Sequence, residues 1–395
     1  MTEWPPLHGR RVVEVLATSA GGVGRHVKSL LPELAAAGAD VRVCGAPATE
    51  QLFGFTAAGA EFRPVGISSG LAPVADTRAV LQLRAAVAGA DLVHAHGLRA
   101  GLVAAAARRL SGERARPLVL TLHNALLHEA GPLRRVLTAV EAMTIRSADL
   151  VLAVSSDLAE NARRAGATDV RVAPALAPPL PPARRTREEV RAQLGLDDGR
   201  PLVVAIGRLH PQKGYDVLLD AARSWVPRRP PPLVAIAGDG PLQEELTRRI
   251  ADERLPARLL GRREDVADLL GAADVCVLPS RWEGSPFTAQ EALRAGTPLV
   301  STRAGGVPEL VGDGAELVPV GDAGALADAV AMILDDPAHA AHLAEAGRKR
   351  AATWPDEAGA ARRLVAVYRE LLGAPVDGAG EDGAGDDDAP GDVGP

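Results

Sequence analysis

The sequence predicts an α/β protein made of two doubly wound parallel-sheet domains, Rossmann-like in build, that face one another across a cleft. Three observations carry this expectation. Short Val/Leu/Ile runs alternate with helix-period segments, a proline-rich break interrupts them, and the same alternation then begins again. The length, 395 residues, suits two domains of roughly 150–200 residues each. Strands that are apolar throughout, rather than at every second position, belong to parallel sheets covered on both faces. Hydrophobic residues make up 47% of the chain and aromatics only 3%, so the core is built from small aliphatics, as in a globular enzyme and unlike a disordered chain.

In the first series, strands are expected at Arg11–Ala17, Asp40–Cys44, Asp91–Ala95, Pro117–Leu122, Leu150–Val154 and Val170–Ala173. Helical periodicity lies between them, at Arg25–Ala37, Leu98–Leu110 and Pro132–Arg146. The segment Pro174-Ala-Leu-Ala-Pro-Pro-Leu-Pro-Pro-Ala-Arg follows. Proline cannot donate to a ladder or continue a helix, so this is a stiff linker. The second series has strands at Leu202–Ile206, Leu233–Ala237, Asp274–Leu278 and Pro298–Ser301, with helices near Gly214–Val226, Leu242–Glu253 and Thr288–Ala295. The expected domains are therefore 1–178 and 179–355. A helical stretch over 356–373 packs on the second domain or crosses back to the first. Residues 374–395, rich in Gly, Ala and Asp, are expected to be disordered.

No apolar run approaches the roughly 18 residues that span a bilayer. The start, Met1-Thr-Glu-Trp-Pro-Pro-Leu-His, lacks the features of a secretory signal. A cytoplasmic location is expected, with Cys44 and Cys276 as buried, unpaired thiols. The net charge of −6 divides into +4 for residues 1–180, −3 for 181–375 and −7 for 376–395. The basic first half, with Arg108/Arg109, Arg134/Arg135 and Arg163/Arg164, suits peripheral contact with an anionic membrane or a phosphorylated acceptor. Solvated helix faces are the plainer reading. No nucleic-acid partner is expected.

Ligands of open α/β sheets bind beyond the carboxyl ends of the strands, and four loops there carry chemistry. Ser19-Ala-Gly-Gly-Val-Gly-Arg-His places glycine amides at a helix start, where an anion can approach. It lacks the spacing of a dinucleotide fingerprint, and the second strand ends in Val-Cys-Gly-Ala rather than in an acid. Ile206-Gly-Arg-Leu-His-Pro-Gln-Lys-Gly-Tyr brackets a turn with Arg208 and Lys213, two cations suited to a diphosphate. Pro279-Ser-Arg-Trp-Glu-Gly-Ser-Pro-Phe-Thr-Ala-Gln-Glu-Ala sets Glu283 in a loop and Glu291 on the following helix. These acids can accept sugar and ribose hydroxyls, while the amides of Gly284, Ser285, Phe287 and Thr288 can hold phosphate oxygens. His94, His96 and His123 sit at strand ends without the thiol or acidic company of a zinc site, so no metal is expected.

Together these segments resemble the retaining glycosyltransferases of family 4, which have the GT-B fold. The resemblance runs through Gly21-Gly22, Asp91-Leu-Val-His-Ala-His-Gly, Thr121-Leu-His-Asn, Gly207-Arg-Leu-His-Pro-Gln-Lys-Gly, Gly238-Asp-Gly-Pro, Glu283…Glu291-Ala and Gly305-Gly-Val-Pro-Glu, nearly the whole chain to about residue 370. It implies transfer of a sugar from a nucleoside-diphosphate donor to an acceptor the sequence does not identify, with no cofactor. Arg208 and Lys213 would neutralise the diphosphate, helped by the backbone of Gly21 and Gly22. Glu291 would hold the ribose, and Glu283 with the amides after it would hold the sugar. His123, with His96 and Asn124 nearby, would lie by the reacting centre, and Gly261-Arg262 would contact the base. The C-terminal helix would cross to the first domain. Retention with metal-free leaving-group stabilisation is implied as well, and no D-x-D motif follows a strand outside the tail. Ser285, Thr288 and Gln290 replace apolar family residues, which bears on the sugar and ribose surroundings. The rival readings are a GT-B epimerase or phosphorylase, a silent nucleotide-sugar binder, and a nicotinamide-dependent oxidoreductase.

Overall fold

The computed structural model of the chain describes residues 6–19, 21–68, 73–112, 116–124, 133–196 and 199–373. The acidic tail, 374–395, lies outside them.

Strands β1 (Arg11–Leu16), β2 (Asp40–Gly45), β3 (Glu61–Pro64), β4 (Leu92–His96), β5 (Leu118–Leu122), β6 (Leu150–Ala153) and β7 (Val170–Val172) form one sheet in the order β3-β2-β1-β4-β5-β6-β7. Its helices are α1 (Gly22–Ala36), α2 (Pro47–Phe53), α3 (Pro73–Ala86), α4 (Leu98–Ser111), α5 (Leu133–Arg146) and α6 (Ser156–Arg164). The second half begins with α7 (Arg187–Gln193). Its sheet comprises β8 (Leu202–Ile206), β9 (Leu233–Ala237), β10 (Ala257–Gly261), β11 (Val275–Leu278), β12 (Leu299–Thr302) and β13 (Glu316–Val318), in the order β10-β9-β8-β11-β12-β13. Helices α8 (Tyr215–Trp225), α9 (Gln243–Asp252), α10 (Val266–Ala272), α11 (Phe287–Ala295), α12 (Val307–Val311), α13 (Ala323–Asp335) and α14 (Pro337–Ala352) cover it. Pairing is parallel in both sheets. The two strand orders reverse between β1 and β4 and between β8 and β11, the switch points where such sheets open a crevice.

Strands β3, β10 and β13 escape the sequence reading, and each is a sheet edge. An edge strand is covered on fewer sides, so it needs no apolar run. Glu61 and Arg63 stand in β3 and Arg258 in β10. The central strands, by contrast, are wholly buried: β4, β5, β6, β9, β11 and β12 have every residue buried. Cys44 and Cys276 are buried free thiols.

Helix α15 (Glu357–Leu371) follows the second half in sequence but packs on the first. Its Ala361, Leu364, Val365 and Tyr368 share a core with Val27, Leu30, Leu31 and Leu34 of α1 and with Val12, Val43 and Leu92 of the sheet. Burying each large side chain contributes roughly 1.5–3 kcal/mol. A two-bond pair from Arg171 to Glu370, 2.7 Å on each arm, closes its far end. Of the arginine pairs noted above, Arg108 is tied to Asp149, Arg163 to the Val170 carbonyl and Arg164 to Asn161. These side chains serve the first domain's own surface.

The turn before α8 depends on Gly214. Its φ is +66°, and a Cβ there would lie 2.0 Å from the Pro279 carbonyl oxygen. Gly214→Ala therefore combines left-handed backbone strain with a backbone clash, and is expected to cost at least about 2 kcal/mol. Denaturant titration of the variant measures this; an unchanged midpoint would contradict the packing described.

Candidate functional site

Two helix N-termini meet at the mouth of the crevice. Gly21 precedes α1 without a side-chain cap, and Pro286 precedes α11 likewise. Gly22 opens α1 so near its counterpart that a Cβ on it would touch the Phe287 ring at 3.8 Å. The free amides and dipole ends of two helices thus point positive charge at one place. Arg25, one turn into α1, adds a cation there. Its guanidinium lies 5.5 Å from the centroid of the Phe287 ring and pairs with Glu291 Oε1 at 2.9 Å. Burial raises the Glu291 carboxyl above its ordinary pKa, while Arg25 and Arg294 oppose the rise.

The second group comes from the loops after β8 and β11. Lys213 Nζ lies 2.5 Å from Glu283 Oε1, which also accepts from Ser280 Oγ at 2.6 Å. Gln212 Nε2 donates to the Trp282 carbonyl at 2.9 Å, and the Arg281 amide donates to the Gln212 carbonyl at 2.8 Å. The cationic turn and the glutamate loop are therefore one braced unit. Glycines Gly305 and Gly306 back it: the Gly306 amide donates to the Glu283 carbonyl at 2.9 Å, and a Cβ on Gly305 would collide with that oxygen. Arg208 is exposed and has no ion-pair partner among the described residues. Gly207, Gly238 and Gly261 stack backbone on backbone at the ends of β8, β9 and β10, the Gly238 amide donating to the Gly261 carbonyl at 2.8 Å. Arg262, beside them, is exposed.

The third group comes from the first sheet. His96 ends β4 and His123 follows β5, their Nδ1 and Nε2 3.1 Å apart. His26 of α1 stands edge-on to both, with ring centroids at 5.9 and 5.5 Å. Burial and the neighbouring imidazoles push His96 down to about 4, His26 to about 3 and His123 well below the ordinary range, so all three are neutral at pH 7. Gly284 reaches over from the other half. A Cβ on it would lie 2.6 Å from Val154 and 3.0 Å from the His123 carbonyl. Asn124 is exposed next to His123.

The structure gathers Gly22, Arg25, His123, Lys213, Glu283, Gly284, Phe287 and Glu291 about one crevice. It withdraws others. His94 lies on the same face of β4 as His96, their ring centroids 4.1 Å apart, but it is buried and its two ring nitrogens are taken by Tyr368 and Thr121. The side chains of Ser285, Gln290 and Thr288, read as bearing on the sugar, serve elsewhere. Ser285 and Gln290 bond the Ala175 carbonyl at 2.7 and 2.9 Å, Gln290 also accepts from the Ala177 amide at 2.9 Å, and Thr288 bonds the Ile206 carbonyl at 3.1 Å. Two of them thus pin the proline-rich linker, whose prolines leave few donors of its own. Sequence reasoning missed Glu14, Arg25, His26, Trp282 and Tyr368. Glu14 carries the one readable signal, an acid inside Val-Val-Glu-Val-Leu. Trp282 sinks into the first domain's core and donates to Asp157 Oδ2 at 2.9 Å, a contact no local pattern announces.

The crevice has counterparts among known proteins. A family model described as "Glycosyl transferases group 1" matches residues 186–350, and one described as "Glycosyl transferase 4-like domain" matches 21–175. The lipopolysaccharide core biosynthesis mannosyltransferase LpsB of Rhizobium meliloti is 34% identical over 203 residues, 49% of this chain and 57% of the relative. The α-D-kanosaminyltransferase of Streptomyces kanamyceticus is 32% identical over 191 residues, 47% of this chain and 49% of the relative. The chain thus spans about half the length of these two. The α-maltose-1-phosphate synthase of Mycolicibacterium smegmatis is 30% identical over 390 residues, 89% of this chain and 96% of the relative. Among solved structures, Anabaena HepE in complex with UDP-glucose superposes with a TM-score of 0.77 at 22% identity, covering 91% of this chain and 99% of that one. With both halves matched and one relative followed almost end to end, the chain belongs to the glycosyl transferases group 1 family and has the GT-B fold.

Proposed function

We propose that this protein is a retaining, metal-independent glycosyltransferase that takes a sugar from a nucleoside-diphosphate donor and delivers it to a hydroxyl of a glycolipid, glycan or small-metabolite acceptor. One observation carries the reading. Two uncapped helix N-termini, from opposite domains, converge beside Arg25 and Lys213, and two buried glutamates stand paired with these cations. A diphosphate supplies the negative charge that such a place favours, and the hydroxyls of its ribose and sugar supply the donors that Glu291 and Glu283 can accept.

In this reading the donor exchanges partners with ion pairs already in place. Ribose hydroxyls replace Arg25 at Glu291, and the guanidinium then turns to the phosphates. A sugar hydroxyl shares Glu283 with Lys213, whose ammonium faces the departing phosphate. Arg208 and the amides of Gly21, Gly22, Gly284, Ser285, Phe287 and Thr288 complete the cradle, and Gly261-Arg262 borders the base. As the glycosidic C–O bond breaks, its electron pair goes to the diphosphate oxygen, where fixed cations and amides stabilise the growing charge. The acceptor hydroxyl attacks from the same face and passes its proton to the leaving phosphate, which retains the anomeric configuration. The nucleotide-sugar donor is supported by HepE, solved with UDP-glucose. Among relatives, a Corynebacterium glutamicum mannosyltransferase is named as GDP-mannose-dependent. No helix among the described residues is long and apolar enough to cross a membrane. A cytoplasmic enzyme that touches an anionic surface through its basic first domain suits a lipid-linked acceptor.

Three outcomes are expected. Arg208→Ala and Lys213→Ala each lower kcat on the order of 10²–10³-fold while circular dichroism stays native; near-normal transfer by both would refute the phosphate assignment. EDTA leaves the initial rate unchanged, and a strong loss would contradict metal-free transfer. In a thermal-shift screen of UDP-, GDP- and ADP-sugars, at least one class raises the melting temperature, by about 2.7 kcal/mol of stabilisation at a hundredfold excess over its Kd; silence from every donor would sink the reading.

A further inference from the structure

Beneath His123 lies a buried polar chain that the proposed transfer does not account for. Glu14, in the middle of β1, is fully buried. Its Oε1 accepts from the Tyr368 hydroxyl of α15 at 2.8 Å, and its Oε2 lies 2.7 Å from His96 Nε2. His94 Nδ1 is 2.6 Å from the Tyr368 oxygen and 3.3 Å from Glu14 Oε2, while His94 Nε2 is 2.6 Å from Thr121 Oγ1. His96 Nδ1 continues the chain to His123 Nε2 at 3.1 Å. Burial would raise the Glu14 carboxyl, but the hydrogen bonds it shares with His94 and His96 hold it far below the ordinary range.

An ionised carboxylate can only accept, and this settles every proton in turn. His96 must donate from Nε2, so its Nδ1, in the neutral ring, is an acceptor. His123 must then donate from Nε2, so its own Nδ1 carries the lone pair. On the other branch the Tyr368 hydroxyl donates to Glu14, accepts from His94 Nδ1–H, and leaves His94 Nε2 to accept from Thr121. With neutral rings one assignment satisfies all five contacts, and in it every donor points toward Glu14.

We propose that Glu14 and His96 are positioning residues that fix His123 as the Nε2–H tautomer, leaving its Nδ1 as a hydrogen-bond acceptor for a substrate hydroxyl. Tyr368 anchors the same carboxylate from α15, so the helix that crosses between domains also bears on the orientation of the cleft histidine. Presented this way, His123 takes a hydroxyl proton into a hydrogen bond and cannot act as a donor to the diphosphate. The assignment of that hydroxyl to donor or acceptor sugar rests on the transferase reading; the tautomer does not.

Two-bond ¹H–¹⁵N correlation spectra of the histidine-labelled full chain at neutral pH read each ring directly. His96 and His123 are expected as neutral Nε2–H tautomers and His94 as Nδ1–H. Nδ1–H on His123, or an imidazolium there, overturns the proposal whether or not any donor is turned over. In Glu14→Gln, of nearly identical size, the amide cannot accept at both ends, so one branch must invert. The tautomers of His96 and His123 are expected to change together, or else His94 changes alone; a change in His96 without His123 overturns the relay. His96→Phe, which fills the same space, is expected to give mixed tautomers at His123 and about a 10- to 100-fold lower kcat with donor KM within about twofold. Unchanged kcat in a native-like variant would refute the positioning role.

Discussion

Both sheets present the carboxyl ends of their parallel strands to one gap, and that constraint underlies everything at the cleft. A parallel strand must be followed by a crossover helix, so each strand end becomes a helix start. The amides left unpaired there, and the positive dipole end behind them, are consequences of helix geometry rather than of side-chain choice. Opposing two such sheets doubles the effect. Glycines let the two halves come so near: a Cβ on Gly306 would lie 2.5 Å from Ser155, and one on Gly284 2.6 Å from Val154.

The charges in the crevice are arranged as exchangeable pairs. Glu283 with Lys213, and Glu291 with Arg25, are each too buried to stand alone as carboxylates without large desolvation cost. In each pair the facing cation offsets part of that cost. The Arg25 pair spans the two domains, as do the Trp282–Asp157 bond and the Ser156 amide bonded to Glu309 at 3.2 Å. Closure and charge balance at the site are therefore coupled physically: opening the gap would strip the buried Glu291 of its Arg25 partner.

Helix α15 ties this arrangement to the rest of the molecule. It is held to the first domain by aliphatic burial and by the Arg171–Glu370 pair, yet it is joined in sequence to the second. Its Tyr368 lends a hydroxyl to the carboxylate at the centre of β1. Because that carboxylate is fully enclosed, its donors cannot be replaced by water, and with neutral rings the network has one consistent proton arrangement.

Much of the architecture was legible along the chain, because local physics writes it there. Unbroken Val/Leu runs marked the central strands, prolines marked the linker between β7 and α7, and glycines with paired cations and acids marked the loops that meet at the crevice. Three of the four edge strands, β3, β10 and β13, were silent because partial exposure removes the apolar signal. Tertiary structure alone decided which side chains face one another: that His94 meets Tyr368 and Thr121 while His96 meets His123, that Ser285 and Gln290 grip the linker, and that Glu14, Arg25 and Tyr368 have partners hundreds of positions away in sequence. Periodicity reports whether a residue is buried, since burial recurs with the period of helix or strand. It does not report against what, since that depends on how separately folded layers come together.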